Sequence, residues 1–231
     1  MFVPRDLQAA TRAVALSLAM ALAPAVALAQ SDPLPSWNDT APKAAIVEFV
    51  EKVSKEGSPD FVPEPERIAV FDNDGTLWCG YPLQVQVFFT LSELKRLGGA
   101  DPSLLEKPAV KALLAGDLKA LAGMSKQEVF EPAFMVHAGM TVAEFRATVA
   151  GWIEAAKNPR NGRLFSAGAY RPQCELLEHL RANGFKTFIV TGGGIEFVRV
   201  LSERLYGIPP EQVVGSSTKN RFEVIGNGVE V

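Results

Sequence analysis

Cysteine and histidine are almost missing from this chain: of 231 residues only Cys79 and Cys174, and only His137 and His179, belong to those types. No Cys/His cluster exists at the spacing of a zinc site, and at most one disulfide can form. Cys79 follows directly on an acidic loop while Cys174 falls within a helical pattern, so two separate buried thiols are expected. No sign of charge dominates either. Lys and Arg number 23 against 26 Asp and Glu, for a net charge of −3. Without a basic block or an aromatic-basic stripe, a nucleic-acid partner is excluded. What is present is ordinary globular material, 48% hydrophobic and 21% charged, able to bury a sizeable core in one or two domains.

The N-terminus reads as an export signal. Arg5 and Arg12 give a positive start, Ala13–Ala23 is largely apolar, and Ala27-Leu28-Ala29 puts small residues where a signal peptidase reads. The apolar run is too short to cross a bilayer comfortably, and no cysteine follows it as in a lipoprotein. Residues 1–29 are therefore expected to be a signal peptide cleaved before Gln30. That would deliver the chain to a bacterial periplasm with no membrane attachment afterwards.

The chemistry is organised around Ile68-Ala69-Val70-Phe71-Asp72-Asn73-Asp74-Gly75-Thr76-Leu77-Trp78. Four apolar residues in a row predict a parallel strand buried on both faces. The strand ends in two carboxylates, Asp72 and Asp74, at the end where open α/β sheets place their ligands. Two negative charges so close call for a hard divalent cation such as Mg²⁺. Gly75 then permits a sharp turn.

Asp72-Asn73-Asp74-Gly75-Thr76-Leu77 resembles the first motif of the haloacid dehalogenase (HAD) superfamily in its phosphatase form. The resemblance implies an α/β fold, with a Rossmann-like parallel-sheet core and an inserted cap. It implies that Asp72 takes up the phosphoryl group as an aspartyl-phosphate, and that Asp74 protonates the leaving alcohol and then activates water. Mg²⁺ would lie between Asp72 and the backbone carbonyl of Asp74.

A second stretch supports the first. Thr187-Phe188-Ile189-Val190 predicts another buried strand, ending in Thr191-Gly192-Gly193-Gly194. A hydroxyl followed by glycines opening a helix is a phosphate cradle, because free N–H groups at the helix start can face an anion. This resembles the second HAD motif, with Thr191 bonding the phosphoryl group beside Gly192 and Gly193. The glycines after it are similar to those of the phosphoserine-phosphatase branch.

Around these motifs, residues 30–42 read as an exposed leader, followed by a helix over 43–56. Helical patterns cover 82–97, 103–113, 116–122, 126–136 and 141–156, so residues 79–165 resemble an all-helical cap inserted into a core of 30–78 and 166–231. Helices follow at 172–182 and 195–206, a third strand at 211–215, and a β-hairpin around Gly226-Asn227-Gly228. The remaining motifs of the family, a Lys and an acidic pair that completes the metal shell, are not found: after Thr191 there is no Asp, and Lys219 precedes the hairpin rather than following it. The core is thus expected to be incomplete, with an uncovered edge beside the catalytic strand and little turnover by this chain.

Other tempting residues have ordinary readings. His179 is expected at a surface boundary, and His137 is a candidate substrate contact in the cap. Lys107, Lys111, Arg146 and Arg163 are candidate partners of an anionic substrate end, and Trp78 and Tyr81 line the pocket or pack the cap hinge. The expected activity is Mg²⁺-dependent hydrolysis of a small phosphorylated metabolite, with phosphoserine-like esters among the candidates. The rivals are a phosphate-binding remnant without turnover, and a haloacid dehalogenase. The second is disfavoured because that chemistry needs no leaving-group acid at Asp74.

Overall fold

The computed structural model describes residues 32–225 and 228–230. The expected signal peptide and the hairpin residues Gly226 and Asn227 lie outside the described residues. Residues Pro33–Val231 form one compact unit.

Local signals set most helix starts. Pro42 stands in the first turn of α1, Ala41–Ser54, where its missing N–H costs nothing. After β1, Ile68–Phe71, come α2, Val85–Ala100, α3, Pro108–Ala115, and α4, Leu118–Ala122. Capping boxes then start α5, Lys126–Met135, through Ser125 and Glu128, and α6, Val142–Ala155, through Thr141 and Glu144. In each box, side chain and backbone satisfy two otherwise unpaired N–H groups reciprocally. Next are α7, Arg171–Ala182, β2, Lys186–Gly194, and α8, Ile195–Tyr206, which Gly207 ends in the left-handed conformation. Then follow β3, Val213–Ser216, β4, Glu223–Ile225, and β5, Gly228–Glu230. The predicted 103–113 helix is divided: Pro102–Glu106 is a 3₁₀ turn, and Pro108 starts a separate helix. None of these helices is long and apolar enough to cross a membrane.

The three main strands are parallel in the order β1-β2-β3, with Phe71 beside Ile189 and Ile189 beside Val213. The antiparallel pair β4–β5 forms the predicted hairpin. One sheet face is packed. Ile189 and Val213 join Phe197, Val198 and Leu201 of α8 in a buried cluster. Phe89 of α2 and Phe145, Val149 and Ile153 of α6 belong to that same cluster. The Phe89 ring lies 5.5 Å from the rings of Phe197 and Trp152. Each such aromatic pair contributes roughly 0.5–1.5 kcal/mol beyond area burial. The inserted helices and the sheet therefore share one core.

Two expectations are corrected. The strand of Ile68–Phe71 is covered on one face only, where Ala69 and Phe71 are half-buried: Ile68 is 57% and Val70 58% exposed, and on the same face Val190 is 46% and Val214 53% exposed. The helices packed on this sheet cover the side of Ile189 and Val213, so alternate residues on each strand are left facing out. The leader is also not free. Leu34 is fully buried, the Ser36 N–H and hydroxyl both donate to the buried Glu175 carboxylate, and the Trp37 indole donates to the Pro172 carbonyl at 2.8 Å. These bonds fasten the leader to the start of α7.

Candidate active site

β1 delivers the acids and β2 the hydroxyl. Because Phe71 pairs with Ile189 in parallel register, Asp72 and Thr191 leave neighbouring strands at the same end of the sheet. The turn after Asp72 is wound around Asn73. Its carbonyl accepts the N–H groups of Thr76, Leu77 and Trp78 at 3.1, 2.9 and 3.0 Å. Gly75 closes the turn at φ +80°, donating to the Trp78 carbonyl at 2.7 Å. A side chain at that φ would be strained, so glycine is required there. The chain then pairs Trp78 with Ala169. The buried Trp78 indole donates to the Phe165 carbonyl at 2.8 Å, so Trp78 is a core residue.

The two acids differ in environment. Asp72 is exposed, and its Oδ1 accepts the Asn73 N–H at 2.8 Å. Asp74 is half-buried, and its carboxyl is pushed up to about 6, first by burial and then by the negative charge of Asp72. Both effects disfavour the ionised form. Asp74 therefore keeps its proton to a higher pH than an ordinary carboxyl does.

The Thr191-Gly192-Gly193-Gly194 stretch departs from the predicted cradle. The glycines do lead into a helix, with Gly194 the N-cap of α8, but they are not a free loop: β2 continues through Gly194, with an irregularity between Val190 and Gly194. Nor are the N–H groups all free. Gly193 N–H donates to Thr191 Oγ1 at 3.1 Å, and Gly194 N–H donates to Gln86 Oε1 at 2.8 Å. Ser216 on β3 donates to the Gly192 carbonyl at 2.9 Å. The strand-end backbone is therefore held by three side chains. Thr191, accepting through oxygen, keeps its hydroxyl proton to donate elsewhere.

Space at Gly193 shows what converges. A Cβ built there would lie 3.4 Å from Gln86 Oε1, 3.5 Å from Thr191 Oγ1 and 3.6 Å from Asp74 Oδ2. The structure thus brings Asp74, Thr191 and Gly193 together at one small space, and around Gly192 a Cβ would meet nothing. Gln86, Asn73 and Ser216 were not singled out by sequence reasoning. A polar residue at the start of the apolar α2 was the one available hint, at Gln86.

The oxygen donors suit a hard cation in kind. Mg²⁺ commonly takes one or two carboxylates and keeps several waters. Among the described residues no group of three His, Cys, Asp or Glu side chains gathers around one point, so protein ligands here would come from Asp72 and Asp74.

Other candidates resolve into structural roles. His137 Nδ1 lies 2.6 Å from the Ala133 carbonyl, and its ring stacks on Phe145 at 4.0 Å; burial pushes its pKa down. His179 sits half-buried beside Asn183. Lys107 pairs with Glu131, Lys111 with Glu106 and Arg146 with Glu196, while for Arg163 it is the backbone N–H that donates, to Asn161 Oδ1 at 3.0 Å. Tyr81 is exposed, with Arg160 over its ring at 4.6 Å. Cys79 and Cys174 are free, half-buried thiols whose pKa values burial pushes up.

A family model described as haloacid dehalogenase-like hydrolase matches residues 69–229. Among solved structures, the chain is similar to a phosphoserine phosphohydrolase-like protein from Francisella tularensis subsp. tularensis SCHU S4, at 19% identity and a TM-score of 0.36. That match covers 70% of this chain and 60% of the other. No curated protein matches.

Proposed function

We propose that this chain, which belongs to the haloacid dehalogenase-like hydrolase family, carries the nucleophile Asp72 and the acid and base Asp74 of a small-phosphomonoester hydrolase, with slow turnover expected where no Asp follows Thr191 to complete a metal shell. The observation that carries this reading is an Asp74 carboxyl held at about 6 in the space shared with Thr191 Oγ1, two residues from an exposed Asp72 at the same end of the sheet. A general acid is most effective when its pKa lies near the working pH.

In the first step an Asp72 carboxylate oxygen attacks phosphorus in line. The bond from phosphorus to the ester oxygen breaks, and Asp74 gives its proton to the departing alkoxide. The second step reverses the traffic: Asp74 takes a proton from water, the water oxygen attacks phosphorus, and Asp72 is released with inorganic phosphate. Thr191 donates its hydroxyl proton to a phosphoryl oxygen, an interaction that strengthens as charge shifts in the transition state. The Asp72 carboxylate and the Asp74 carbonyl would hold Mg²⁺, which members of this family typically use. When bound, the ion offsets the negative charge of carboxylates and phosphate together. The reading includes export of the mature chain to the periplasm, which cell fractionation would test.

The deciding measurement is Mg²⁺-dependent release of p-nitrophenol from p-nitrophenyl phosphate, set against halide release from a haloacid, with phosphate binding followed by calorimetry. Asp72→Asn is expected to abolish turnover while phosphate still binds. Phosphate binding without turnover in the wild type would leave only the cradle. Halide release, or neither binding nor turnover, overturns the reading.

A further inference from the structure

Gln86 stands in the first turn of α2, on the inserted helices rather than on the sheet. Its Oε1 takes the Gly194 N–H across 108 positions of sequence. An N–H donor fixes which end of the amide faces the strand, so Nε2 with its two hydrogens faces away from that bond. Among the described residues that Nε2 donates to no acceptor. A Cβ on Gly194 would fall 2.6 Å from Nε2, closer than real contacts allow. The amide therefore lies directly against the Gly193–Gly194 backbone, where a Cβ on Gly194 would push it aside. It borders the same space as Asp74 Oδ2 and Thr191 Oγ1.

We propose that Gln86 is a phosphoryl-binding residue of this site, an inference that rests on the phosphatase reading. By accepting the Gly194 N–H, the amide consumes one backbone donor of the cradle and offers its own Nε2–H to a non-bridging phosphoryl oxygen instead. The exchange moves an anion contact from the sheet to the helical insert, so a bound phosphate links the two. An uncharged amide suits this place. It adds a donor for the anion without forming an ion pair that would quench Asp72 or Asp74.

Titration of inorganic phosphate into the chain with Mg²⁺ present separates this role from its rivals. Gln86→Ala is expected to weaken phosphate about 10-fold, the size of one hydrogen bond to a charged acceptor. Gln86→Glu is the sharper test. Its carboxylate can still accept the Gly194 N–H, so the brace on the strand survives while the donor to phosphate is lost. A residue that donates to phosphate would instead be replaced by a repelling charge, and binding should fall beyond the alanine variant. Wild-type affinity in Gln86→Glu overturns the proposal, as does tighter binding in Gln86→Ala, which would make Gln86 a plug that phosphate displaces. Thr191→Ala guards the underlying reading. If it weakens phosphate and the Gln86 variants do not, only the role of Gln86 falls; if neither Thr191→Ala nor the Gln86 variants weaken phosphate, the phosphatase reading falls with it.

Discussion

The Tyr206 hydroxyl donates to Asn73 Oδ1 at 3.1 Å, joining the last residue of α8 to the residue between the two acids. Both side chains are buried, and burial holds the tyrosine pKa far above its ordinary value, so it remains a donor at every working pH. The Asn73 carbonyl holds the turn at three N–H groups and its side chain holds α8. Asn73 is thereby the pin on which the spacing of Asp72 and Asp74 depends.

Tyr206→Phe is expected to destabilise the chain by about 1–3 kcal/mol, because it leaves the Asn73 amide oxygen buried without a donor. Urea denaturation measures the loss. Phosphate binding should weaken a few-fold as the turn loosens. An unchanged midpoint would mean that water or a neighbouring group replaces the bond.

Asp74 sets a pH dependence whose sign is fixed by its raised value. The unfolded carboxyl releases its proton near 3.8, the folded one near 6. Between those values the folded chain holds a proton that the unfolded chain has lost. Stability from this group is therefore greatest on the acid side and falls as pH rises toward 6. The full shift converts to about 3 kcal/mol; for a half-buried carboxyl, solvent screening reduces it to roughly 1–2 kcal/mol. In metal-free buffer, the stability difference between Asp74→Asn and wild type should change by that amount between pH 4 and 7. Parallel profiles would show that Asp74 titrates normally.

The parts legible in the sequence were those encoded within a few residues. Ile68–Phe71 ending in Asp72 and Asp74, and Thr187–Val190 ending in Thr191, each carry strand and strand-end chemistry in one run. The helical patterns over 126–136 and 141–156 lie within a residue of Lys126–Met135 and Val142–Ala155. What stayed hidden depends on partners far along the chain. Gln86 matters because Gly194 lies against it, and Asn73 because Tyr206 reaches it, from 108 and 133 positions away. Four apolar residues in β1 could not reveal which face would be covered, since that depends on where the helices pack. Ser36 and Trp37 looked like part of a loose leader because Glu175 and Pro172, which bind them, belong to a distant helix.

Two helical glycines offer a contrast that tests the packing directly. Gly98 in α2 is buried, and a Cβ there would fall 2.4 Å from Leu105 Cδ2, so the 3₁₀ turn of Pro102–Glu106 rests on the bare backbone. Gly151 in α6 is exposed, and a Cβ there would meet nothing. Alanine improves helix propensity at both by roughly 0.5–1 kcal/mol. At Gly151 that gain should appear undiminished, raising Tm by about 2–4 °C per kcal/mol for a chain of this size. At Gly98 displacement of Leu105 should outweigh it, since overpacking costs roughly 1–3 kcal/mol, and Tm should fall. Thermal unfolding of the two single variants decides the matter. A stabilising Gly98→Ala would show that Leu105 moves aside freely and that α2 is not packed as closely as the structure places it.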